Sequence, residues 1–265
     1  MKSILVFLFS FIFVSIAFGQ TDVLGSTYEG DTSSKPNLML IPCPERNYMS
    51  DADMVILKNT ELNGKDLIKT VIDELYFNIH AQLLGSYEVY TIADDQVADH
   101  QKDLASIMSG IGYQYDTPTP AVKERNKNVV RRYKAKLEDY LAAAEGATVT
   151  AGELTTEFVR RAKKEQYYNT VLHSNEMLPY YNEKYNADLF IFLNQIEIKT
   201  VYATQQDRYK YFREIWVHFS IYDKESKLYF GDVVKIKFNS RASNLQTIIR
   251  NTFPKVGEYI SFTLP

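Results

Sequence analysis

One cysteine, Cys43, stands in 265 residues, so no disulfide closes within this chain and stability has to come from a packed core. Eleven glycines and eight prolines are too few for a collagen-like or low-complexity chain. Four histidines, His80, His100, His173 and His218, are scattered with no pair at a metal-binding spacing and no HExxH, which leaves a zinc enzyme and any other metal site without support. G-x-G-x-x-G, G-x-x-x-x-G-K-[ST] and G-x-S-x-G are all absent, so neither nucleotide binding nor nucleophile-elbow hydrolase chemistry has a motif, and no cofactor is expected. Asp51 and Asp53 do not begin a calcium loop, because Met54, Val55 and Ile56 stand where further oxygen ligands and glycine are needed.

Long apolar runs are lacking too, with one exception at the start. Met1 to Gly19 has Lys2, an apolar core from Ile4 to Ile16, and the small residues Ala17 and Gly19, which is the form of an export signal peptide. Its core is shorter than the roughly 20 apolar residues that span a bilayer. No transmembrane span is expected. Gln20, where a lipid-anchoring cysteine would stand, implies a soluble product that is not lipid-anchored. Residues 20–36 are small and polar and read as a flexible lead-in, and residues 37–265 read as a single domain. Removing Lys2 with the leader leaves 246 residues carrying 29 basic and 33 acidic groups, a net charge of −4.

What is present points to an α/β domain. Leu38 to Ile41, bounded by Pro36 and Pro42, reads as a strand buried on both faces, and Cys43 beside it as a small buried hydrophobe. Ser50-Asp51-Ala52-Asp53 has the form of a capping box opening a short helix to about Asn59. From Asn63, the residues Leu67, Ile68, Val71, Ile72, Leu75, Tyr76, Ile79 and Leu83 recur on one helical face, with Gly85 placed for a left-handed cap. Tyr87 to Ile92 follows as a strand, which predicts a βαβ unit with parallel strands. Residues 94–168 read as a helical insertion, with helices at 94–108, 121–144 and about 152–168. Another helix is expected over Leu172 to Tyr185. Leu189 to Val201, Arg213 to Tyr222 and Tyr229 to Phe238 then form an antiparallel meander with a hairpin loop at 223–227, and Ser243-x-x-Gln246 caps a closing helix. The expected fold is therefore a mixed sheet with parallel strands first, a meander last, and α+β character.

The charge pattern is the strongest functional signal. Between Ala121 and Lys164 lie 11 basic and six acidic residues, a local +5 that leaves −9 for the rest of the exported chain. Val122, Val129, Val130, Tyr133, Leu137, Tyr140 and Leu141 form an apolar stripe there, so the cations fall on the opposite face. Arg125, Arg131, Arg132, Lys136, Arg160, Arg161 and Lys164 are the candidate binding face, set against the plainer reading of a solvated surface. Its partner would be an envelope protein or an anionic envelope surface; nucleic acid does not suit an exported chain of net charge −4. Trp216, His218 and Tyr222 alternate with the apolar residues of their strand and are read as a candidate exposed strand face. Clustered tyrosines suit half-buried structural positions or sugar and protein contacts.

Two segments carry a resemblance. Asn37-Leu38-Met39-Leu40-Ile41-Pro42 with the helix after it and Tyr87-Glu88-Val89-Tyr90 resembles the opening of the periplasmic α/β domains at the TolB amino terminus and in the curli-secretion lipoprotein. Ala187-Asp188 entering the strand Leu189 to Phe192, then the hairpin Val217 to Val234 turning at Tyr222-Asp223-Lys224, resembles their later strands. Ala93 to Asn169 has no counterpart, and the anchoring cysteine of the curli protein is absent. Asn47 to Asp53 and Phe192 to Ile198 also resemble segments of secreted proteins of the Bacteroidota. The resemblance implies an envelope location, periplasmic or at the outer-membrane periphery, and a non-enzymatic role. The favoured expectation is thus a non-catalytic interaction module; its rival is a secreted hydrolase acting on an envelope polymer, with His218 and carboxylates gathered by folding.

Overall fold

The computed structural model describes residues 35–93, 98–117, 156–159, 165–202, 211–239 and 242–265, with the side chains of 156–158 excepted. Nine strands and five α-helices occur among them: β1 Asn37–Ile41, β2 Tyr48–Ser50, α1 Asp53–Leu57, α2 Gly64–Leu84, β3 Glu88–Thr91, α3 Ala98–Ser109, β4 Ile111–Asp116, β5 Thr156–Phe158, β6 Tyr167–Leu172, α4 Met177–Tyr185, β7 Leu189–Tyr202, β8 Tyr211–Asp223, β9 Leu228–Asn239 and α5 Leu245–Thr263. The main sheet runs β3-β1-β7-β8-β9-β5, with β2 beside the later part of β7, and β4 and β6 make a separate two-stranded sheet.

The early βαβ unit is as the sequence reads. β1 is flanked by parallel partners, Leu38 pairing with Val89 of β3 on one side and Leu189 of β7 on the other. Such a strand has no solvent face, and Leu38, Met39, Leu40 and Ile41 are all buried. Beyond β7 the sheet is antiparallel, and the meander β7-β8-β9 is built of 14-, 13- and 12-residue strands.

Alternation along β8 sorts its residues onto two cores. Ile215, Val217, Phe219 and Ile221 face the helices α2 and α5, which supply Leu67, Val71, Leu75, Ile79, Ile248, Phe253, Val256 and Ile260 to the larger core. Each such residue moved fully out of water contributes about 1.5–3 kcal/mol, and this face supplies most of that gain. The two helices touch closely at Gly257, where a Cβ would stand 2.8 Å from Gln82 Cγ and 3.2 Å from the Cα of Ile79. The opposite face carries a smaller core, in which Met39, Ile41, Phe190 and Phe192 meet Ile107 of α3, Ile111 of β4 and Leu178 and Tyr181 of α4.

Several local expectations are corrected. Asn63 does cap α2, accepting from the Asp66 N–H, but Gly85 sits at φ −64°, right-handed, so no left-handed cap ends that helix. α1 begins after Ala52 without a side-chain cap; Ser50 accepts from the Ala52 N–H and Asp53 accepts from the Tyr48 hydroxyl, which dissolves the expected capping box. Asn244, not Ser243, caps α5. Within 94–168 the described residues hold one helix, α3, and strands β4, β5 and the start of β6, so this stretch is not helical throughout; 94–97, 118–155 and 160–164 lie outside the described residues. β6 runs to Leu172, and the helix expected from there begins only at Met177. That helix ends at Asn186, one of two non-glycine residues with positive φ among those described, where its short amide side chain suits the left-handed turn.

Candidate functional site

Apolar spacing along β7 slips once. Leu189, Ile191 and Leu193 face the large core and so do Ile196 and Ile198, which puts two residues, Asn194 and Gln195, between members of a period-two series. The pairing with β8 shifts at the same point, from Leu193 opposite Phe219 to Gln195 opposite His218. Two residues opposing one is a β-bulge, and it delivers two polar side chains to the sheet face away from the helices.

Around that bulge, side chains bind β6 across the sheet. Asn194 donates from Nδ2 to the Tyr168 carbonyl and to Ser220 Oγ, both at 2.7 Å, and accepts from Thr170 Oγ1 at 2.6 Å. Its own carbonyl accepts from Asn47 Nδ2 at 2.7 Å. Ser220 Oγ donates to Asn169 Oδ1 at 2.7 Å, and Tyr222 donates its hydroxyl to the Thr170 carbonyl at 2.5 Å. The hydroxyl end of Tyr167 lies close against Gly231, where a Cβ would stand 2.3 Å from the hydroxyl oxygen and 2.4 and 2.5 Å from Cζ and Cε2. The seam is buried, and its hydrogen-bonded groups satisfy one another, the condition under which a polar cluster inside a protein is tolerated; Gln195 Oε1, also buried, is the exception and has no hydrogen-bond partner among the described residues.

His218 belongs to this seam. The Tyr168 N–H donates to its Nδ1 at 2.9 Å, so the ring proton is on Nε2, which donates to Glu197 Oε1 at 2.9 Å. The other oxygen of Glu197 receives Lys199 Nζ at 2.6 Å. Burial alone would raise the Glu197 carboxyl, but hydrogen bonds from His218 and Lys199, with the Lys199 charge, more than offset it and hold it below its ordinary range. His218 is 1% exposed and Tyr222 6%, with the Tyr222 phenol pushed up to about 12 chiefly by burial. The expectation of an exposed strand face at Trp216, His218 and Tyr222 is therefore corrected: β6 covers two of the three, and Trp216 is half-buried.

Toward the far end of the meander the same face becomes a ladder of cations over rings. Lys199 Nζ stands 3.7 Å and Lys235 Nζ 3.6 Å from the Trp216 ring centre, while the Trp216 indole donates to Glu214 Oε2 at 2.8 Å. Lys235 is buried and paired with Glu165, and Lys237 Nζ lies 3.6 Å from the Phe212 ring centre. Across β7, the Arg46 guanidinium approaches Tyr113, which stacks on Tyr168 at 5.1 Å. Cations placed over aromatic faces are held by the ring quadrupole, with Lys199 and Lys237 still partly open to solvent.

Arg125, Arg131, Arg132, Lys136, Arg160, Arg161 and Lys164 lie outside the described residues. The strand β5 that follows most of that basic run pairs Thr156 with Phe238 and Glu157 with Lys237, so the chain returns to the sheet beside the cation ladder. Sequence reasoning missed Asn194, Glu197, Lys199 and Lys235; the signal for the first was the slip in the apolar period of β7. Cys43 is buried as expected, its thiol pushed up by burial. Among the described residues no three His, Cys, Asp or Glu side chains are grouped to hold a metal ion, and a polar notch between α2 and α5, lined by Glu74, Asn78 and Arg250, is shallow. No helix among the described residues is long and apolar enough to cross a membrane. No family model matches the chain, and no curated protein does.

Proposed function

We propose that this is a non-catalytic module exported to the cell envelope, periplasmic or at the outer-membrane periphery, which contacts an anionic partner, whether an envelope protein or the envelope surface. The observation that carries the reading is Trp216 held between Lys199 and Lys235, the centre of a sheet face on which Lys237 also caps a ring. Lys235 is buried on Glu165 and serves to fix the Trp216 ring, so the cations that meet an arriving anion are the partly open Lys237 and Lys199, the latter sharing its charge with Glu197; both are propped on aromatic faces and lose little freedom in the contact. The basic run at 121–164 adds charge of the same sign, and the leader Met1 to Gly19 supports export.

The rival hydrolase needs His218 as its base. Both ring nitrogens of His218 are already committed, one accepting from backbone and one donating to Glu197, so it has no lone pair to offer a substrate without dismantling the seam. Cell fractionation tests the proposal with two sets of charge reversals, Lys199→Glu with Lys237→Glu, and Arg131, Arg132, Arg160 and Arg161 each to Glu. Release of the protein from the envelope fraction by either set is the expected result. Unchanged association in both would overturn the reading.

A further inference from the structure

We infer that the outer edge of β4 pairs with the same edge of a second copy of this chain, antiparallel about Gln114, joining two β4–β6 ribbons into one four-stranded sheet. In an antiparallel pair the N–H and carbonyl of a residue point the same way, toward the partner strand or away from it, and successive residues alternate. Those of Tyr168 and Thr170 point away from β4: the Tyr168 groups meet His218 and Asn194, and the Thr170 groups meet Ser220 and Tyr222. Asn169 and Val171 therefore bond their register partners Gln114 and Gly112, and Tyr113 and Tyr115 turn their N–H and carbonyl groups outward. Among the described residues β4 pairs with β6 alone, and no hydrogen bond reaches those outward groups.

This edge lacks the devices that keep strands apart. The end strands of the main sheet, β3 and β5, are only four and three residues long. β4 runs for six residues in unbroken register with β6 and contains no lysine, arginine or proline. Short strands, lysines, prolines and bulges are what blunt an edge that has to stay single. A two-stranded ribbon is also marginal by itself, and here only its β6 side is bonded to the main sheet, which leaves β4 presented with its free edge outward.

The register selects a second copy as the occupant. When the outward groups bond each other, Tyr113 of one copy faces Tyr115 of the other and the reverse, so a two-fold axis passes between the two Gln114 side chains. Asp116 then lies opposite Gly112 of the other copy, and no two like charges meet. On that face the His173 imidazole lies over Gly112, its Nε2 3.0 Å from where a Cβ would stand, on the side the incoming Asp116 carboxylate enters. Asp116 Oδ1 accepts from the Thr117 N–H at 2.7 Å, and its Oδ2 has no hydrogen bond among the described residues. On the other face Tyr168 stacks on Tyr113 at 5.1 Å and lies 5.0 Å from Tyr115, a row of rings that the second copy's tyrosines continue. Tyr115 is 53% exposed and Gln114 is exposed, so both have surface to lose in the contact. A foreign strand would use the backbone groups alone, whereas this chain's own β4 also matches tyrosine to tyrosine and a carboxylate to a histidine.

Sedimentation velocity tests this on the chain from Gln20 onward, which lacks the apolar leader and contains every described residue. A contact of this size is weak and reversible, so the expected result is a monomer that becomes a dimer between about 1 and 500 μM. Gln114→Lys and Gln114→Glu each set like charges on the two-fold axis and are expected to weaken the dimer about fivefold, while an equimolar mixture of the two variants restores it. Tyr115→Pro removes an N–H that the ribbon itself does not use and is expected to abolish the dimer. Urea midpoints and Trp216 emission at low concentration check that the variants fold, and if the proline variant does not, the Gln114 pair decides alone. A chain that stays monomeric throughout the range would overturn the proposal. So would a dimer indifferent to Gln114→Lys, or one that both Gln114 variants weaken and their mixture fails to restore.

Discussion

Replacing His218 by alanine is the sharpest test of the seam that fixes β6 on the sheet. The substitution removes the acceptor for the Tyr168 N–H and one of two donors to Glu197. A buried backbone N–H left without a partner costs about 1–3 kcal/mol. Glu197 keeps Lys199, so its loss is smaller, about 1 kcal/mol. The vacated ring leaves a cavity on the order of 60 Å³, which at ~24 cal/mol per Å³ adds about 1.5 kcal/mol. Together the loss is about 4–5 kcal/mol, and with a urea m-value of ~3 kcal/mol per M the unfolding midpoint falls by about 1.5 M. His218→Phe separates the contributions, since it fills most of the space and restores neither hydrogen bond; its midpoint is expected between alanine and the native residue. Nitrogen NMR of the native imidazole should show the proton on Nε2. An alanine variant within about 1 kcal/mol of the parent, or a ring protonated on Nδ1, would refute the reasoning.

Gly231→Ala forces a methyl into the Tyr167 ring; a loss of about 1–3 kcal/mol is expected in urea unfolding, largely recovered by adding Tyr167→Leu, and a silent Gly231→Ala would show that the two strands are not so closely opposed. Glu197 and Asp103 are both held below their ordinary values of 4.5 and 3.8, Glu197 as above and Asp103 because hydrogen bonds from Lys184 and Tyr185 outweigh burial. Such groups bind protons less readily folded than unfolded, so stability is full above those values and is lost as pH falls through them. Urea midpoints measured from pH 7 down to pH 3 should drop, more shallowly in Asp103→Asn, and a flat profile would contradict the two assignments. Cys43, buried with its thiol pushed up, should react with a thiol reagent only on unfolding in urea, and rapid native labelling would place it at the surface instead.

The parallel strands, α2 and the meander were legible because burial there follows the backbone's own period: both faces for Leu38 to Ile41, every second residue for Ile215 to Ile221, and 3.6 for Leu67 to Leu83. β4 and β6 were not. Tyr113, Gln114 and Tyr115 against Thr170, Asn169 and Tyr168 have no apolar alternation, because hydrogen bonds donated by Asn194 and Ser220 and one accepted by His218 stand where greasy packing would otherwise hold β6. Trp216, His218 and Tyr222 read as a solvent face for the same reason: alternation shows that they share a side of the sheet and is silent about a second layer lying on it. The pairing of Lys199 and Lys235 across Trp216 joins residues from three strands, and only the register of β7, β8 and β9 brings them to one ring. What the sequence did contain was the slip at Asn194-Gln195 and a polarised charge.

Trp216 is the chain's one tryptophan, so its emission reports directly on the ring between Lys199 and Lys235. Titration of the chain from Gln20 with polyglutamate should produce a saturable change in that emission, with a midpoint that weakens several-fold from 50 to 200 mM salt and is lost in Lys199→Glu with Lys237→Glu. Emission that does not move, or that moves equally in the reversed variant, would contradict an anionic contact at this face.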